Sequence, residues 1–103
     1  MKFPIELNFD WKESADSVIE EIAPILRSAG IFVYVNPATE GSDDSTYIFT
    51  KKKMTRKDMV KYLFAQDDRG FIYEMADHNG VTPREEANSW IDDCFGGDPK
   101  PIA

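Results

Sequence analysis

The spacing of apolar residues changes once within the first thirty residues, and this change constrains the fold more than any other feature of the sequence. From Phe3 to Phe9, every second side chain is apolar, which is typical of a strand with one buried face. From residue 12 to 29, the apolar residues recur at helical spacing, which predicts an amphipathic helix that Pro24 kinks or divides. The residues assigned to its buried face are Ala15, Val18, Ile19, Ile22, Ile25, Leu26 and Ala29.

Two later runs have the composition of strands. Residues 31–36 and 46–51 are rich in β-branched and aromatic side chains. A polar loop separates them, so we expect a hairpin. With a strand near residues 3–9 and the first helix, they predict a small β-α-β-β sheet unit.

The C-terminal half is predicted to be helical. Thr55 and Thr82 stand where helix N-caps are expected, and Pro83 follows at a first helical position. They predict helices near 55–66 and 83–95, the second of which ends at a pair of glycines.

Residues 71–78 decide between two folds. As a helix, they complete an α+β fold in which the sheet unit is followed by a helical C-terminal half, and this is our prediction. As a strand, they complete the order βαββαβ, a ferredoxin-like arrangement plus a terminal helix, and this alternative stays open. In either case we expect one compact domain over residues 1–97 and a flexible tail over 98–103.

The charges are sorted into three blocks. Residues 1–50 carry nine acids and three bases, residues 51–61 carry one acid and six bases, and residues 62–103 again carry nine acids and three bases, for a net charge of −7. Such a pattern bears on partners and not on the fold. The six bases, here named the basic stripe, are Lys51, Lys52, Lys53, Arg56, Lys57 and Lys61.

The basic stripe has several interpretations. It can hold the backbone of a nucleic acid. It can equally neutralise acidic faces of this chain or of a second copy, and lysines at a strand end also reduce edge-to-edge aggregation. We favour the structural interpretations over nucleic-acid binding.

Two predicted helices carry acidic faces. Four carboxylates share one arc of the last helix, and its i,i+7 pairs are roughly 10 Å apart along the axis. Such an arc can imitate a short run of phosphates or dock on an Arg- and Lys-rich partner, although an ordinary solvated face has the same composition. The acidic residues are Glu85, Glu86, Asp92 and Asp93 on the last helix and Glu13, Asp16 and Glu20 on the first.

The segment 72–82 resembles the first helix and turn of a helix-turn-helix unit. The positions that carry the resemblance are Ala76, Gly80, Val81 and Thr82. After Thr82 the sequence departs from the helix-turn-helix pattern, because the apolar positions expected in the second helix fall on Glu86 and Ser89. The resemblance implies a packed helical pair, but the carboxylates on the second helix would repel DNA phosphates.

Residues of catalytic type are few. His78 beside Asp77 lacks a second His or Cys ligand nearby, so it predicts no metal site. Cys94 falls on the apolar face of its helix, where a cysteine behaves as a small apolar residue. We therefore predict no enzymatic activity, no cofactor and no metal.

The sequence also bears on location. A single cysteine excludes an internal disulfide, and no apolar run reaches the roughly 20 residues that span a bilayer. We expect a cytoplasmic protein that does not bind membranes.

These observations predict a non-enzymatic protein-interaction module whose acidic faces bind a basic protein surface. In size, acidity and lack of a catalytic signature, the chain is similar to the small inhibitors of phages and mobile elements, including anti-CRISPR and anti-restriction proteins. That similarity implies an inhibitor that mimics DNA and occupies a nucleic-acid-binding site. Two alternatives stay open: a small helix-turn-helix-like DNA-binding regulator, and an accessory subunit of a larger complex.

Overall fold

The protein combines a small sheet with four helices. The computed structural model describes residues 4–9, 12–39, 42 and 44–102, and side chains of the first helix from residue 15 onward. Over this part of the chain it has a three-stranded antiparallel sheet and four α-helices, which confirms the α+β prediction. The chain divides into two compact units, a sheet unit of residues 1–53 with 100–103 and a helical unit of residues 54–99.

The sheet unit is built around a central strand. Its elements are β1 (Ile5–Phe9), α1 (Lys12–Ser28), β2 (Phe32–Val35) and β3 (Ser45–Thr50). Strand β3 pairs antiparallel with both others, so the order is β1-β3-β2, and Tyr47 of β3 stands opposite Leu7 on one side and Val35 on the other. The predicted hairpin of β2 and β3 is confirmed.

Helix α1 packs on the sheet through a narrower stripe than the sequence predicted. Its buried residues are Ala15, Ile19 and Ala23, which cluster with Val33, Val35, Tyr47 and Phe49. The assignment of Val18, Ile25 and Ala29 to the buried face is wrong. Val18 and Ile25 are 48% and 68% exposed, and Ala29 is exposed and follows the last residue of α1. At 100° per residue, Val18 and Ile25 lie roughly 100° and 120° from the centre of the buried stripe, beyond the reach of the sheet.

Pro24 does not divide α1, which runs unbroken from Lys12 to Ser28. The proline side chain is exposed, and the hydroxyl of Ser28 donates to its carbonyl at 3.0 Å. Pro24 lacks the N–H that would donate to the carbonyl of Glu20, so α1 continues through this position without that hydrogen bond.

The helical unit contains three helices: α2 (Arg56–Gln66), α3 (Phe71–Asn79) and α4 (Pro83–Phe95). Thr55 and Thr82 are their N-caps as predicted, and each closes a capping box with the acid three residues later. Helix α4 packs against both α2 and α3. The buried side chains of this unit include Met59, Tyr62, Leu63, Ile72, Ala76, Ala87 and Ile91.

Residues 71–79 form a helix, so the ferredoxin-like alternative, which needs a strand there, is not the observed fold. Gly70 and Gly80 flank α3 in the left-handed conformation, which glycine adopts without steric cost. The carboxylate of Asp67 accepts from the backbone N–H groups of Phe71 and Ile72 at 2.8 and 2.9 Å. These contacts satisfy two donors of the first turn of α3.

Residues 98–102 make defined contacts. In the helical unit, Asp98 accepts from Arg56 at 3.0 Å and Pro99 is buried. In the sheet unit, the N–H of Ile102 donates to the carbonyl of Val33 at 2.7 Å, along the outer edge of β2. A single domain over residues 1–97 with a flexible tail over 98–103 stays a prediction. Within the described residues, each helix falls short of the length and apolar character that crossing a membrane requires.

Candidate partner-binding site

The helical unit has a groove between α2 and α4 with a volume of about 620 Å³. This size lies within the range of ligand pockets, about 300–1,000 Å³. Its lining combines four cationic side chains with two apolar ones and one amide. These residues, here named the cationic groove, are Arg56, Lys57, Val60, Lys61, Phe64, Arg84 and Asn88.

Arg56 holds the two walls of the groove together. Its Nη2 donates to Oδ1 of Asp92 at 2.6 Å, and its Nε donates to Oδ1 of Asp98 at 3.0 Å. Its Nη1 also lies 3.4 Å from the backbone and side-chain oxygens of Asn88. The guanidinium therefore joins α2 to one ridge of α4 and to the segment that follows it.

The two carboxylates also act on the protonation of Arg56. The hydrogen bond to Asp92, and then the one to Asp98, raise the pKa of the guanidinium above its ordinary value, with partial burial opposing them. An arginine keeps its charge in proteins, and much of the charge of Arg56 is matched within the chain by these two carboxylates.

The other three cations of the groove are not matched in this way. Lys57 and Lys61 are one turn apart on α2, with Cβ atoms about 5–6 Å apart, and Arg84 faces them from the first turn of α4. Among the residues that the structure describes, none of the three side chains has a hydrogen bond or ion pair to an acid. Their charge is available to an anionic partner.

The basic stripe is therefore split between the two units. Arg56, Lys57 and Lys61 line the groove, whereas Lys51, Lys52 and Lys53 are exposed residues of the sheet unit. The ammonium of Lys51 donates to the carbonyl of Ala29 at 3.3 Å. Only half of the stripe thus belongs to the candidate site.

Three of the four carboxylates predicted to form a docking arc on α4 make contacts within the chain. Glu85 closes the capping box with Thr82, accepting from its N–H at 3.1 Å. Glu86 is 5% exposed and accepts from Nδ2 of Asn79 at 2.7 Å. Asp92 binds Arg56. Asp93 is exposed, with no hydrogen bond or ion pair among the described residues.

The acids predicted on α1 have different surroundings. Asp16 accepts a hydrogen bond from the hydroxyl of Tyr47, and Glu20 is exposed. The side chain of Glu13 lies outside the described residues. The structure therefore places one predicted acid of α1 in a contact with the sheet and one on the surface.

The packing of α3 against α4 agrees with the helical pair that the helix-turn-helix resemblance implies. Glu86 occupies the position where that pattern expects an apolar residue, and it is buried there. Asn79, the last residue of α3, supplies the donor that its carboxylate needs. Ser89, at the other expected apolar position, is exposed.

Aromatic rings extend from the groove onto α3. The rings of Phe64 and Tyr73 lie 5.7 Å apart, and Phe71 and Trp90 form a second pair at 6.1 Å. Tyr73 and Phe71 are nevertheless 58% and 53% exposed. Aromatic side chains are enriched in protein–protein interfaces relative to the rest of the surface.

His78, Asp77 and Cys94, the residues considered for catalysis or metal binding, do not form a metal site in the described part of the chain. Within the described ranges, no group of three His, Cys, Asp or Glu side chains could hold a metal ion. His78 is exposed near the end of α3, and Cys94 is partly buried in α4. The absence of enzymatic activity, cofactors and metals stays a prediction.

Two residues that line the groove, Arg84 and Asn88, were not among the predicted site residues. Arg84, Asn88 and Asp92 are four residues apart on α4, so they form one polar ridge. That spacing was a usable signal, but it gains meaning only once α2 is known to pack beside the ridge.

Comparisons with known proteins give no relative. No family model, no curated protein and no solved structure matches the chain. The geometry of the groove is therefore the basis on which a function can be inferred.

Proposed function

We propose that the protein is a non-enzymatic interaction module that binds an acidic segment of a partner protein in the cationic groove. The observation that carries this proposal is the convergence of Lys57, Lys61 and Arg84 from two helices over an apolar floor. Cations at the rim fix and steer acidic groups, while Val60 and Phe64 offer a place for one apolar anchor.

The surroundings of the groove favour an acidic protein segment over a nucleic acid. Asp92 and Asp98 lie beside the groove with Arg56. A continuous phosphate backbone would have to pass these carboxylates, whereas a short peptide needs to place only one anchor and a few acids. The volume of the groove suits one compact side chain and its neighbours.

The test measures binding of a labelled peptide in which one Trp stands between pairs of Glu. We expect binding that weakens as salt is raised, and a loss of roughly tenfold or more in affinity for Lys57→Glu with Lys61→Glu. The matched control is Lys52→Glu with Lys53→Glu, which makes the same charge change in the sheet unit and should leave the affinity within about twofold.

Two further probes separate the partner classes. A peptide with Gln in place of Glu should bind more weakly, because it keeps the anchor but lacks the charges. A single-stranded oligonucleotide that bound better than the acidic peptide, with the same sensitivity to Lys57→Glu, would replace this proposal with the DNA-binding alternative. Equal effects of the groove variant and its control would exclude the groove as the binding surface.

The inhibitor hypothesis is a second candidate, supported by the acids that remain exposed. Asp93 on α4 and Glu20 on α1 are on the surface. If these acids dock on a basic partner, Glu20→Lys with Asp93→Lys weakens capture of that partner. If capture is lost with Lys57→Glu and Lys61→Glu instead, the partner binds the cationic groove.

A further inference from the structure

The helical unit carries a second charged face directly beside the cationic groove. Helix α3 exposes Tyr73 and Phe71, which lie roughly 160° apart around the helix axis, and it exposes the acids Glu74 and Asp77 on the arc between them. Asp77 follows Tyr73 by one turn, and Glu74 follows Phe71 by three residues, so each aromatic has an acid as its neighbour on the helix surface. We name this set of four residues the acidic aromatic face.

This face has the chemistry that the groove requires of a partner. Within the described part of the chain, neither Glu74 nor Asp77 has a hydrogen bond or ion pair through its side chain. The groove offers unmatched cations above Val60 and Phe64, and the acidic aromatic face offers unmatched acids beside an exposed ring. The two surfaces are complementary in charge and in apolar content.

The two surfaces are also contiguous. The ring of Phe64, which lines the groove, lies 5.7 Å from the ring of Tyr73, which belongs to the acidic aromatic face. A patch with a cationic half and an adjoining anionic half is self-complementary under a two-fold rotation. In such an isologous contact, each half of one copy meets the opposite half of the other, and closed two-fold dimers are the commonest oligomers.

We propose that a second copy of this chain is a partner of the cationic groove, and that two copies form a two-fold dimer through it. Lys57, Lys61 and Arg84 of each copy then face Glu74 and Asp77 of the other. This proposal rests on the proposed function, since it names an occupant for the same groove. It also makes dimerisation and the binding of another acidic segment mutually exclusive.

The test is a charge-exchange experiment read by sedimentation velocity at low salt over a range of protein concentrations. The wild-type protein should sediment as a dimer that dissociates as salt is raised. Lys57→Glu with Lys61→Glu should be monomeric, and so should Glu74→Lys with Asp77→Lys. An equimolar mixture of these two variants should recover the dimer, because both contacts then join opposite charges again.

A single chain that carries all four substitutions is the most specific test of the dimer contact. It has the net charge of the wild type and should dimerise with itself, because its groove and its α3 face have exchanged signs. The matched controls are Lys52→Glu with Lys53→Glu and Asp68→Lys with Asp93→Lys, which repeat the charge changes elsewhere and should stay dimeric. Circular dichroism of every variant checks that the helices are intact.

The outcomes separate this inference from the proposed function. A wild-type protein that is monomeric at all concentrations, or a dimer that neither charge variant weakens, overturns the inference. The wild-type protein can be monomeric and still bind the Trp–Glu peptide. If Lys57→Glu with Lys61→Glu then abolishes peptide binding, the proposed function stands and only the dimer inference fails. If it neither dimerises nor binds the peptide, both proposals fail.

Discussion

Nη2 of Arg56 donates to Oδ1 of Asp92 across 2.6 Å, and this contact joins the first helix of the helical unit to its last. The same guanidinium also binds Asp98, so one side chain joins α2 both to α4 and to the segment that directly follows α4. Both acids are more than half exposed, whereas Arg56 is 30% exposed. The arginine is therefore the member of this network whose replacement disturbs the packing most.

For Arg56→Gln we expect a fall of a few degrees in the melting temperature, because the neutral side chain cannot bind both carboxylates. Thermal unfolding followed by circular dichroism measures it. The control is Arg69→Gln, which removes an exposed arginine from the turn before α3 and should leave the melting temperature unchanged. Equal effects of the two substitutions would show that the network adds nothing to stability.

Asn79→Ala should lower the free energy of unfolding by about 1–3 kcal/mol, because it leaves the buried carboxylate of Glu86 without its donor. In a protein that already carries Glu86→Leu, the same substitution should cost little, since no buried charge remains. Urea unfolding of the four proteins completes the double-mutant cycle. Additive effects would mean that solvent, and not Asn79, satisfies Glu86.

Thr82→Ala should lower the stability by about 1 kcal/mol, within a range of roughly 0.5–2 kcal/mol, because it removes the side-chain acceptor for the N–H of Glu85 at 3.1 Å. Ser89→Ala changes an exposed residue in the interior of the same helix and should be neutral or slightly stabilising. Chemical denaturation distinguishes the two. A neutral Thr82→Ala would contradict the role of the capping box.

Ile91→Ala and Ile25→Ala compare two isoleucines that look alike in sequence. Ile91 is fully buried, so its truncation should cost about 2–5 kcal/mol, whereas Ile25 is 68% exposed and its truncation should change stability by less than about 0.5 kcal/mol. Unfolding in urea measures both. A large loss for Ile25→Ala would indicate that α1 buries a wider face than the structure shows.

The features that the sequence predicted correctly are local. The caps at Thr55 and Thr82 depend on residues within one turn, and the hairpin of β2 and β3 depends on composition and a polar loop. Neither needs knowledge of the rest of the molecule. The exposure of Val18 and Ile25 was not predictable in this way, because helical spacing defines a face but not how much of it the sheet covers.

The candidate site was predicted only in part. Lys57 and Lys61 were recognised from their charge, yet Arg84 was missed because it belongs to another helix. Conversely, the carboxylates of α4 formed a uniform arc in sequence, but in the fold Glu86 points to Asn79 and Asp92 binds Arg56. Tertiary contacts determine which charges are paired within the chain. A helical projection of one segment does not show those contacts.

The hydrogen bond from Ile102 to Val33 has a consequence for how the protein emerges from the ribosome. The sheet unit is discontinuous, since its last segment follows the whole helical unit in the chain. At about 5–20 residues per second, several seconds of translation separate the outer strand from the segment that lines its edge. During this interval the outer edge of β2 lacks this contact, and an open strand edge in a folding intermediate is a site at which a neighbouring chain can pair.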